Sequence, residues 1–223
     1  MSNAKSPDTP PTLTPAWRSR RAIAVFLAIA VGLLAADLLI KYLAFQHVAG
    51  FPLRLEPPAR VFVQVNDEWF ESKPLDPAIP ASAIPHHEST PLVPAILDLR
   101  LTINTGAVFG SGAGLRWLFV GVSVIAVGVI GYLFVRSPAN AWLLHTALAL
   151  ILAGALGNLY DRVRYAAVRD MFHLFPDTRL WPWIWNLADA ALMLGVALVL
   201  LLNLRKPTPP ATPADTTPAS YPK

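Results

Sequence analysis

Two aspartates late in the chain carry the side chains best suited to do chemistry. Asp170 follows the third of four long apolar stretches, and Asp189 lies at the start of the fourth, on the helical face of Asn186. The return loop between them is long enough to bring both carboxyl groups to one end of a helical bundle. Two carboxyl groups at close range do not both ionise readily, so they share a proton and offer both a base and an acid.

Each aspartate also has a simpler interpretation when it is considered alone. Asp189 is placed to cap the N-terminus of a helix, and Asp170 is placed as a solvated acid in a loop. A second carboxyl group at matching depth favours a catalytic pair over both of these interpretations. The pair suits hydrolysis, in which one carboxylate activates water and the other carboxyl group protonates a leaving amine.

Two polar clusters lie in or beside the other apolar stretches, where polar groups are costly and usually functional. Asp37 and Lys41 are four residues apart and share one helix face. The alternative is an ion pair at a helix end, with Lys41 extending outward to the membrane surface. Residues 104–110, Asn-Thr-Gly-Ala-Val-Phe-Gly, follow an alternating segment, and the alternative there is a simple connecting turn.

A third polar cluster lies at the C-terminal end of the third apolar stretch. Asn158, Asp161 and Arg162 are related by three- and four-residue steps and therefore share one helix face. Small residues on the preceding turns, including Gly154 and Gly157, permit close packing against another helix. The alternative role is structural, as a polar knot that ties this helix to its neighbours.

Other catalytic chemistries have little support in the sequence. The chain has no cysteine, which excludes a disulfide scaffold, a thiolate zinc site and a cysteine nucleophile. Histidines do not have the spacing of metal ligands, since His86 and His87 are adjacent in a proline-rich loop. Ser123 lies in the middle of an apolar stretch without a base nearby. We therefore expect no metal ion and no organic cofactor.

Composition and proline placement indicate a membrane protein. The chain has 223 residues, of which 54% are hydrophobic and only 14% are charged, against roughly a quarter charged in a soluble domain. Four proline-free stretches are long enough for a hydrocarbon core that needs about 20 apolar residues per helix. The predicted spans are Ala22–Phe45, Trp117–Val135, Ala141–Tyr160 and Ile184–Leu204.

The flanking charges predict an orientation. Arg18, Arg20, Arg21, Arg136, Arg205 and Lys206 lie close to span ends on one side, which the positive-inside rule places in the cytoplasm. The last external loop opposes this rule with Arg162, Arg164, Arg169 and Arg179. Because the first helix usually sets orientation, we predict that both termini are cytoplasmic. The first stretch continues past the length of a signal peptide, so we predict an uncleaved span.

The remaining segments complete the predicted architecture. Leu97–Asn104 alternates apolar and polar residues, which indicates a half-buried strand, and Arg60–Val65 is its predicted partner. The fold class is therefore an all-α membrane protein with four transmembrane helices, a small extracytoplasmic β-element within residues 46–98, and an interfacial segment before the fourth span. Residues 1–20 and 207–223 are predicted disordered cytoplasmic tails, which leaves 21–206 as the membrane domain.

With these residues in place, the chain resembles the lipoprotein signal peptidases, also called signal peptidase II. The first-span Asp and Lys of that family resemble Asp37 and Lys41, and four further motifs follow in the same order. The matching residues are Asn104, Gly106, Ala107 and Phe109; Gly154, Ala155, Gly157, Asn158, Asp161 and Arg162; Val168 and Asp170; and Asn186, Ala188 and Asp189. Departures include Arg169, where an apolar residue is common, and a long connection between Asp37 and Asn104.

The resemblance implies an aspartic endopeptidase of the bacterial inner membrane with its active site on the extracytoplasmic side. Its substrate would be a prolipoprotein, cleaved just before a diacylglyceryl-modified cysteine. Asp170 and Asp189 would be catalytic, and supporting or substrate-binding roles would fall to Asn104, Gly106, Asn158, Arg162, Asn186, Asp37, Lys41 and Asp161. Membrane lipid is an expected partner, nucleic acid is not, and a monomer is expected.

Two rival functions stay open on the residues alone. A small proton-coupled transporter would use Asp37, Asp189 and the cluster at Asn158 as a polar pathway, but transporters carry polar residues near mid-membrane. Here the polar groups collect at one edge of the bundle. A non-catalytic scaffold of the same fold is the other rival. Intramembrane proteases with a Gly-x-Gly-Asp motif are disfavoured because that motif is absent.

Overall fold

The computed structural model describes residues 14–74, 80–106, 115–176, 178 and 180–204. Within these ranges, four helices are long and apolar enough to cross a membrane. They are α1 (Arg20–His47), α2 (Arg116–Arg136), α3 (Trp142–Tyr165) and α4 (Leu187–Leu204). The four predicted spans are therefore confirmed. The helix α3 continues beyond its predicted end, and α4 begins later than predicted because residues 184–185 form a strand.

Local chemistry explains where two of these helices begin and end. The helix α1 begins after Ser19, whose hydroxyl accepts a hydrogen bond from the backbone of Ala22 at 3.2 Å. The helix α3 ends where Ala166 adopts a left-handed conformation with φ of 66°. The carbonyl of Tyr165, left over at this helix end, accepts from the backbone of Ala59 at 2.8 Å.

The helix α3 is the centre of the bundle and packs against the other three helices. Lipid offers no hydrophobic force between helices, so their association depends on close packing. Gly154 of α3 and Gly195 of α4 provide it, since a side chain at either position would collide with the opposite helix. At the far end of the bundle, Phe26 of α1 stacks on Phe134 of α2 with ring centroids 4.2 Å apart.

Two antiparallel sheets lie at the other end of the bundle. The first is a meander of β1 (Leu53–Glu56), β2 (Arg60–Val65) and β3 (Glu68–Ser72). The second has the strand order β4-β5-β6-β7, with β4 (Thr90–Val93), β5 (Leu97–Asn104), β6 (Val168–Leu174) and β7 (Ile184–Trp185). A shared apolar core joins both sheets to the end of α1. A short 3₁₀ helix, Pro80–Ala83, lies between them in sequence.

The sheets correct two predictions. The description "all-α" is imprecise, because two sheets accompany the four helices. The strand Leu97–Asn104 is confirmed, but its predicted partner is wrong, since Arg60–Val65 pairs with its sequence neighbours β1 and β3 instead. The partners of β5 are β4 and β6. Short turns on both sides of Arg60–Val65 make local hairpins the cheaper pairing.

Regular structure begins earlier in the chain than predicted. Ala16–Arg18 form a 3₁₀ helix inside the range predicted as a disordered tail. The backbone of Ala16 donates to the carbonyl of Ser137 at 2.8 Å, and Ala139 donates to Thr14 at 2.8 Å. This segment is therefore attached to the α2–α3 connection. Residues 1–13 and 207–223 of the predicted tails lie outside the described residues.

The close contact between α3 and α4 predicts a stability effect. A methyl group at Gly154 would meet the backbone oxygen of Ala188 and lie 2.9 Å from Cβ of Leu192. We expect Gly154→Ala to force the helices apart and to lower the free energy of unfolding by about 1–3 kcal/mol. Thermal unfolding in detergent measures this change.

Gly128→Ala is the matched control for this substitution. Gly128 lies in α2, and no described atom lies within 4 Å of a methyl group added there. Its unfolding temperature should equal or slightly exceed that of the wild type, because Ala favours helix over Gly. Equal unfolding temperatures for the two variants would contradict the packing described here.

Candidate active site

Two different structural elements present the catalytic candidates. Asp170 is the third residue of β6, lies opposite Thr102 of β5, and is only 2% exposed. Asp189 lies in the first turn of α4 and is half-buried. Asp170 is therefore not the solvated loop acid of the simpler interpretation. Its carboxyl group lies close enough to Asp189 for the two charges to interact.

Two asparagine amides link the carboxyl groups. The Nδ2 of Asn186 donates to Oδ1 of Asp170 at 2.5 Å and to Oδ1 of Asn158 at 3.2 Å. The Nδ2 of Asn158 donates to Oδ1 of Asp189 at 2.7 Å. A continuous chain of hydrogen bonds thus runs from one aspartate to the other through buried side chains. The structure brings together the residues that the sequence predicted at this edge.

The start of α4 explains why Asn186 and Asp189 are three residues apart. The Oδ1 of Asn186 accepts from the backbone N–H of Asp189 at 2.9 Å, and Oδ2 of Asp189 accepts from the backbone N–H of Asn186 at 3.3 Å. This reciprocal pair is a capping box. The capping interpretation and the catalytic interpretation of Asp189 are thus compatible, because one carboxylate oxygen faces the cap and the other faces Asn158.

Lys41 points into the bundle, so the alternative in which it extends outward is wrong, although its ion pair with Asp37 is present. Its Nζ lies 2.8 Å from Oδ2 of Asp37 and 3.3 Å from Oδ2 of Asp161, with the side chain fully buried. It also donates to Oδ1 of Asn158 at 3.3 Å. The other oxygen of Asp37 accepts from the backbone N–H of Ala188 at 2.9 Å, at the positive end of the α4 dipole.

Arg169 is the functional-site neighbour that the sequence analysis missed. Its guanidinium binds Asp161 with a shortest distance of 2.8 Å, and its backbone N–H donates to the same carboxylate at 3.0 Å. Asp161 is fully buried. Its carboxylate has two cationic partners, Arg169 and Lys41. The sequence signal was the charged residue next to Asp170 where an apolar residue is common.

The motif that begins at Asn104 forms a turn beside Asp170. The Oδ1 of Asn104 accepts from the backbone N–H of Gly106 at 2.9 Å, which agrees with a turn over the described part of this segment. The side chain of Asn104 also hydrogen-bonds Asp170. Arg162 donates to the carbonyl of Gly106 at 2.8 Å and stacks over Phe119. Residues 107 and 109 of this motif lie outside the described residues.

The electrostatics of the pair are unequal. Burial raises the pKa of Asp170 well above its usual value, and the neighbouring charge of Asp189 raises it further. Among the described residues, the cluster around the pair holds four carboxyl groups and three cations: Asp37, Asp161, Asp170 and Asp189 with Lys41, Arg162 and Arg169. One bound proton makes this cluster neutral. A single proton on Asp170 satisfies both observations.

The described part of the chain contains no group of three His, Asp or Glu side chains arranged to hold a metal ion. The ring of His87 instead forms hydrogen bonds with backbone groups. Its Nε2 accepts from Leu101 at 3.0 Å, and its Nδ1 hydrogen-bonds the carbonyl of Pro85 at 3.0 Å.

Comparison with known proteins is consistent with this geometry. The family model described as signal peptidase (SPase) II matches residues 29–205, a range that contains every site residue above. A lipoprotein signal peptidase of Desulfitobacterium hafniense (strain DSM 10664 / DCB-2) is 38% identical over 117 residues, which cover 52% of this chain and 75% of that protein. One from Latilactobacillus sakei subsp. sakei (strain 23K) is 44% identical over 119 residues, covering 52% and 74%.

The fold also matches a solved structure. A bacterial membrane enzyme determined by the in meso method at 2.3 Å resolution superposes with a TM-score of 0.61 and 22% sequence identity. The match covers 87% of this chain and 93% of that chain. At this identity the likeness supports the fold alone.

The buried pair of Arg169 and Asp161 predicts a second stability effect. Arg169→Met leaves a buried carboxylate without its bidentate partner, which costs about 3–5 kcal/mol. Arg164→Met is the matched control, because Arg164 is exposed and contacts the ring of Tyr165 at 5.3 Å, a contact worth about 1 kcal/mol or less. Chemical unfolding of both variants measures the difference. Similar losses in the two variants would contradict the importance of the buried pair.

Proposed function

The chain belongs to the signal peptidase II family, and we propose that it hydrolyses its substrate with Asp170 and Asp189. As a member of that family it is a multi-pass membrane protease that removes signal peptides from prolipoproteins. The observation that carries the proposal is the link between the two carboxyl groups through Asn158 and Asn186. In this proposal, the linked carboxyl groups act on one reacting water.

The two aspartates have different roles in this proposal. Asp189 is half-buried, accepts from the Asn158 amide and the Asn186 backbone, and lies at the positive N-terminus of α4. Both contacts donate to its carboxyl oxygens, so we assign Asp189 as the base. Asp170 is buried, and its raised pKa favours the protonated form. Asp170 is therefore the acid.

The reaction follows from these roles. Asp189 takes a proton from water, and the oxygen of that water bonds to the scissile carbonyl carbon while Asp170 donates a hydrogen bond to the carbonyl oxygen. The tetrahedral intermediate then collapses. The carbon–nitrogen bond breaks, and a proton from the aspartate pair passes to the leaving nitrogen. Arg162 and the turn at Asn104 and Gly106, which Arg162 holds, are placed to position the peptide backbone.

We propose a lipid-modified substrate and a defined orientation in the membrane. The substrate is a prolipoprotein whose cysteine carries a diacylglyceryl group, and the cut lies just before that cysteine. The basic residues Arg18, Arg20, Arg21 and Arg136 lie at the opposite end of the bundle from Asp170. The positive-inside rule therefore supports cytoplasmic termini and an active site at the outer face.

The proposed domain organisation is a single peptidase unit within residues 21–206, acting as a monomer. The site residues lie on α1, α3, α4 and the second sheet. The membrane lipid around the bundle is the expected environment of the substrate's acyl chains.

Replacement of either aspartate tests the proposal. Purified protein in detergent is incubated with a diacylglyceryl-modified precursor, and mass spectrometry measures release of the signal peptide. Asp170→Asn and Asp189→Asn should each lower the rate by at least about 10³-fold, because each removes one half of an acid–base unit. Both variants should stay folded, since asparagine retains an oxygen that accepts hydrogen bonds.

Asp98→Asn is the matched control. Asp98 is also buried on the second sheet, where it accepts from Ser89 at 2.6 Å, but it lies outside the aspartate pair's hydrogen-bond chain. Its cleavage rate should stay close to that of the wild type. Near-normal cleavage by Asp170→Asn or by Asp189→Asn would eliminate the aspartic mechanism.

A further inference from the structure

We propose that Lys41 is a positioning residue for the reaction, because its ammonium fixes the direction of the Asn158 amide and so directs that amide toward Asp189. This inference rests on the proposed function of the aspartate pair. It concerns a residue that contacts neither aspartate of that pair in the described hydrogen bonds and ion pairs, and that acts through Asn158.

The hydrogen-bonding capacity of each group sets the direction. An ammonium group only donates, an ionised carboxylate only accepts, and an asparagine amide has one accepting end and one donating end. The Oδ1 of Asn158 lies 3.3 Å from Nζ of Lys41, and its Nδ2 lies 2.7 Å from Oδ1 of Asp189. The reversed amide would face a donor with a donor and an acceptor with an acceptor. Lys41 therefore selects the orientation that donates to the base.

Asn186 favours the same orientation. Its Nδ2 donates to Oδ1 of Asn158 at 3.2 Å, so the accepting end of Asn158 receives two donors. Asn186 is itself held, because its Oδ1 accepts from the backbone N–H of Asp189 at 2.9 Å. Among the described residues, the donating end of Asn158 hydrogen-bonds Asp189.

Burial keeps the ammonium of Lys41 in place. The side chain is 0% exposed, and Asp37 and Asp161 hold its charge at 2.8 and 3.3 Å. Water does not compete for these contacts, and charge-assisted hydrogen bonds are the stronger kind. A lysine whose only role was to neutralise Asp37 would not need to contact an amide that leads to Asp189.

The charges around Asp189 define what a change at Lys41 alters. Arg162 of α3 and Asp170 of β6 interact with Asp189 directly, whereas Lys41 of α1 reaches it through Asn158 and interacts directly with the charge of Asp170. Asp37 and Asp161 form ion pairs with Lys41. Loss of Lys41 weakens the donor to Asp189 and removes a nearby positive charge. Asn158 then orients the base less firmly, and kcat falls.

The test compares Lys41→Met with Asn158→Leu and with the double variant. Cleavage of the diacylglyceryl-modified precursor is measured across pH, together with thermal unfolding of each purified protein. Lys41→Met should lower kcat by about 10–100-fold, the equivalent of one charge-assisted hydrogen bond. KM should change little. The double variant should lose no more kcat than Asn158→Leu alone.

A purely structural role for Lys41 gives different results. A structural role lowers the unfolding temperature, and its effect on kcat multiplies with that of Asn158→Leu. A multiplicative loss of kcat in the double variant overturns the inference. If Lys41→Met does not fold, Asp37→Asn/Lys41→Met removes the ion pair without leaving a charge behind and is measured in the same way.

One more variant keeps the inference testable if neither lysine variant folds. Asn158→Asp accepts from Lys41 but in its ionised form has nothing to donate to Asp189. A kcat loss of at least about tenfold supports the inference, and wild-type kcat overturns it. Failure of the proposed function looks different, because Asp170→Asn or Asp189→Asn would then cleave the precursor whatever the lysine variants do.

Discussion

The hydrogen-bonded chain from Asp170 through Asn186 and Asn158 to Asp189 is the interaction on which the rest of the structure depends. It places charged and polar groups at one end of an apolar bundle, where unpaired groups are costly. The fold meets this cost with pairs: Asp37 with Lys41, and Asp161 with Arg169. The remaining charged groups of the cluster are Asp170, Asp189 and Arg162, so one carboxylate has no cation to neutralise it. One proton supplies the balance, and a shared proton is also what acid–base hydrolysis requires.

The fold brings the pair together from two rigid scaffolds. Asp170 is held in the middle of a sheet and Asp189 in a capped first helical turn, so neither depends on a free loop for its position. The central helix α3 joins these scaffolds, since Asn158 contacts α1, α4 and the amide that leads to β6. The close approach of α3 and α4 at Gly154 is therefore also what allows the amide of Asn158 to reach Asp189.

Much of this arrangement could be predicted from the sequence, because it depends on local patterns. Apolar length located the four spans, alternation located Leu97–Asn104, and the three-residue spacing placed Asn186 and Asp189 on one face near the start of the fourth helix. Long-range pairing could not be predicted in this way. Residues 168–174 form a central strand only because β5 and β7 lie on either side. The direction of Lys41 depended on Asp161 and Asn158, more than a hundred residues away.

Infrared spectroscopy of protein with isotope-labelled aspartate side chains tests the shared proton most directly. At neutral pH, one protonated carboxyl band should be present, because Asp170 is buried beside Asp189 and its pKa is raised. A raised pKa means that the band is retained above the usual range of an aspartic acid and is lost as the pH rises further. The band should be missing in Asp170→Asn. A spectrum with no protonated carboxyl group at neutral pH, or a band that Asp170→Asn leaves unchanged, would contradict this account.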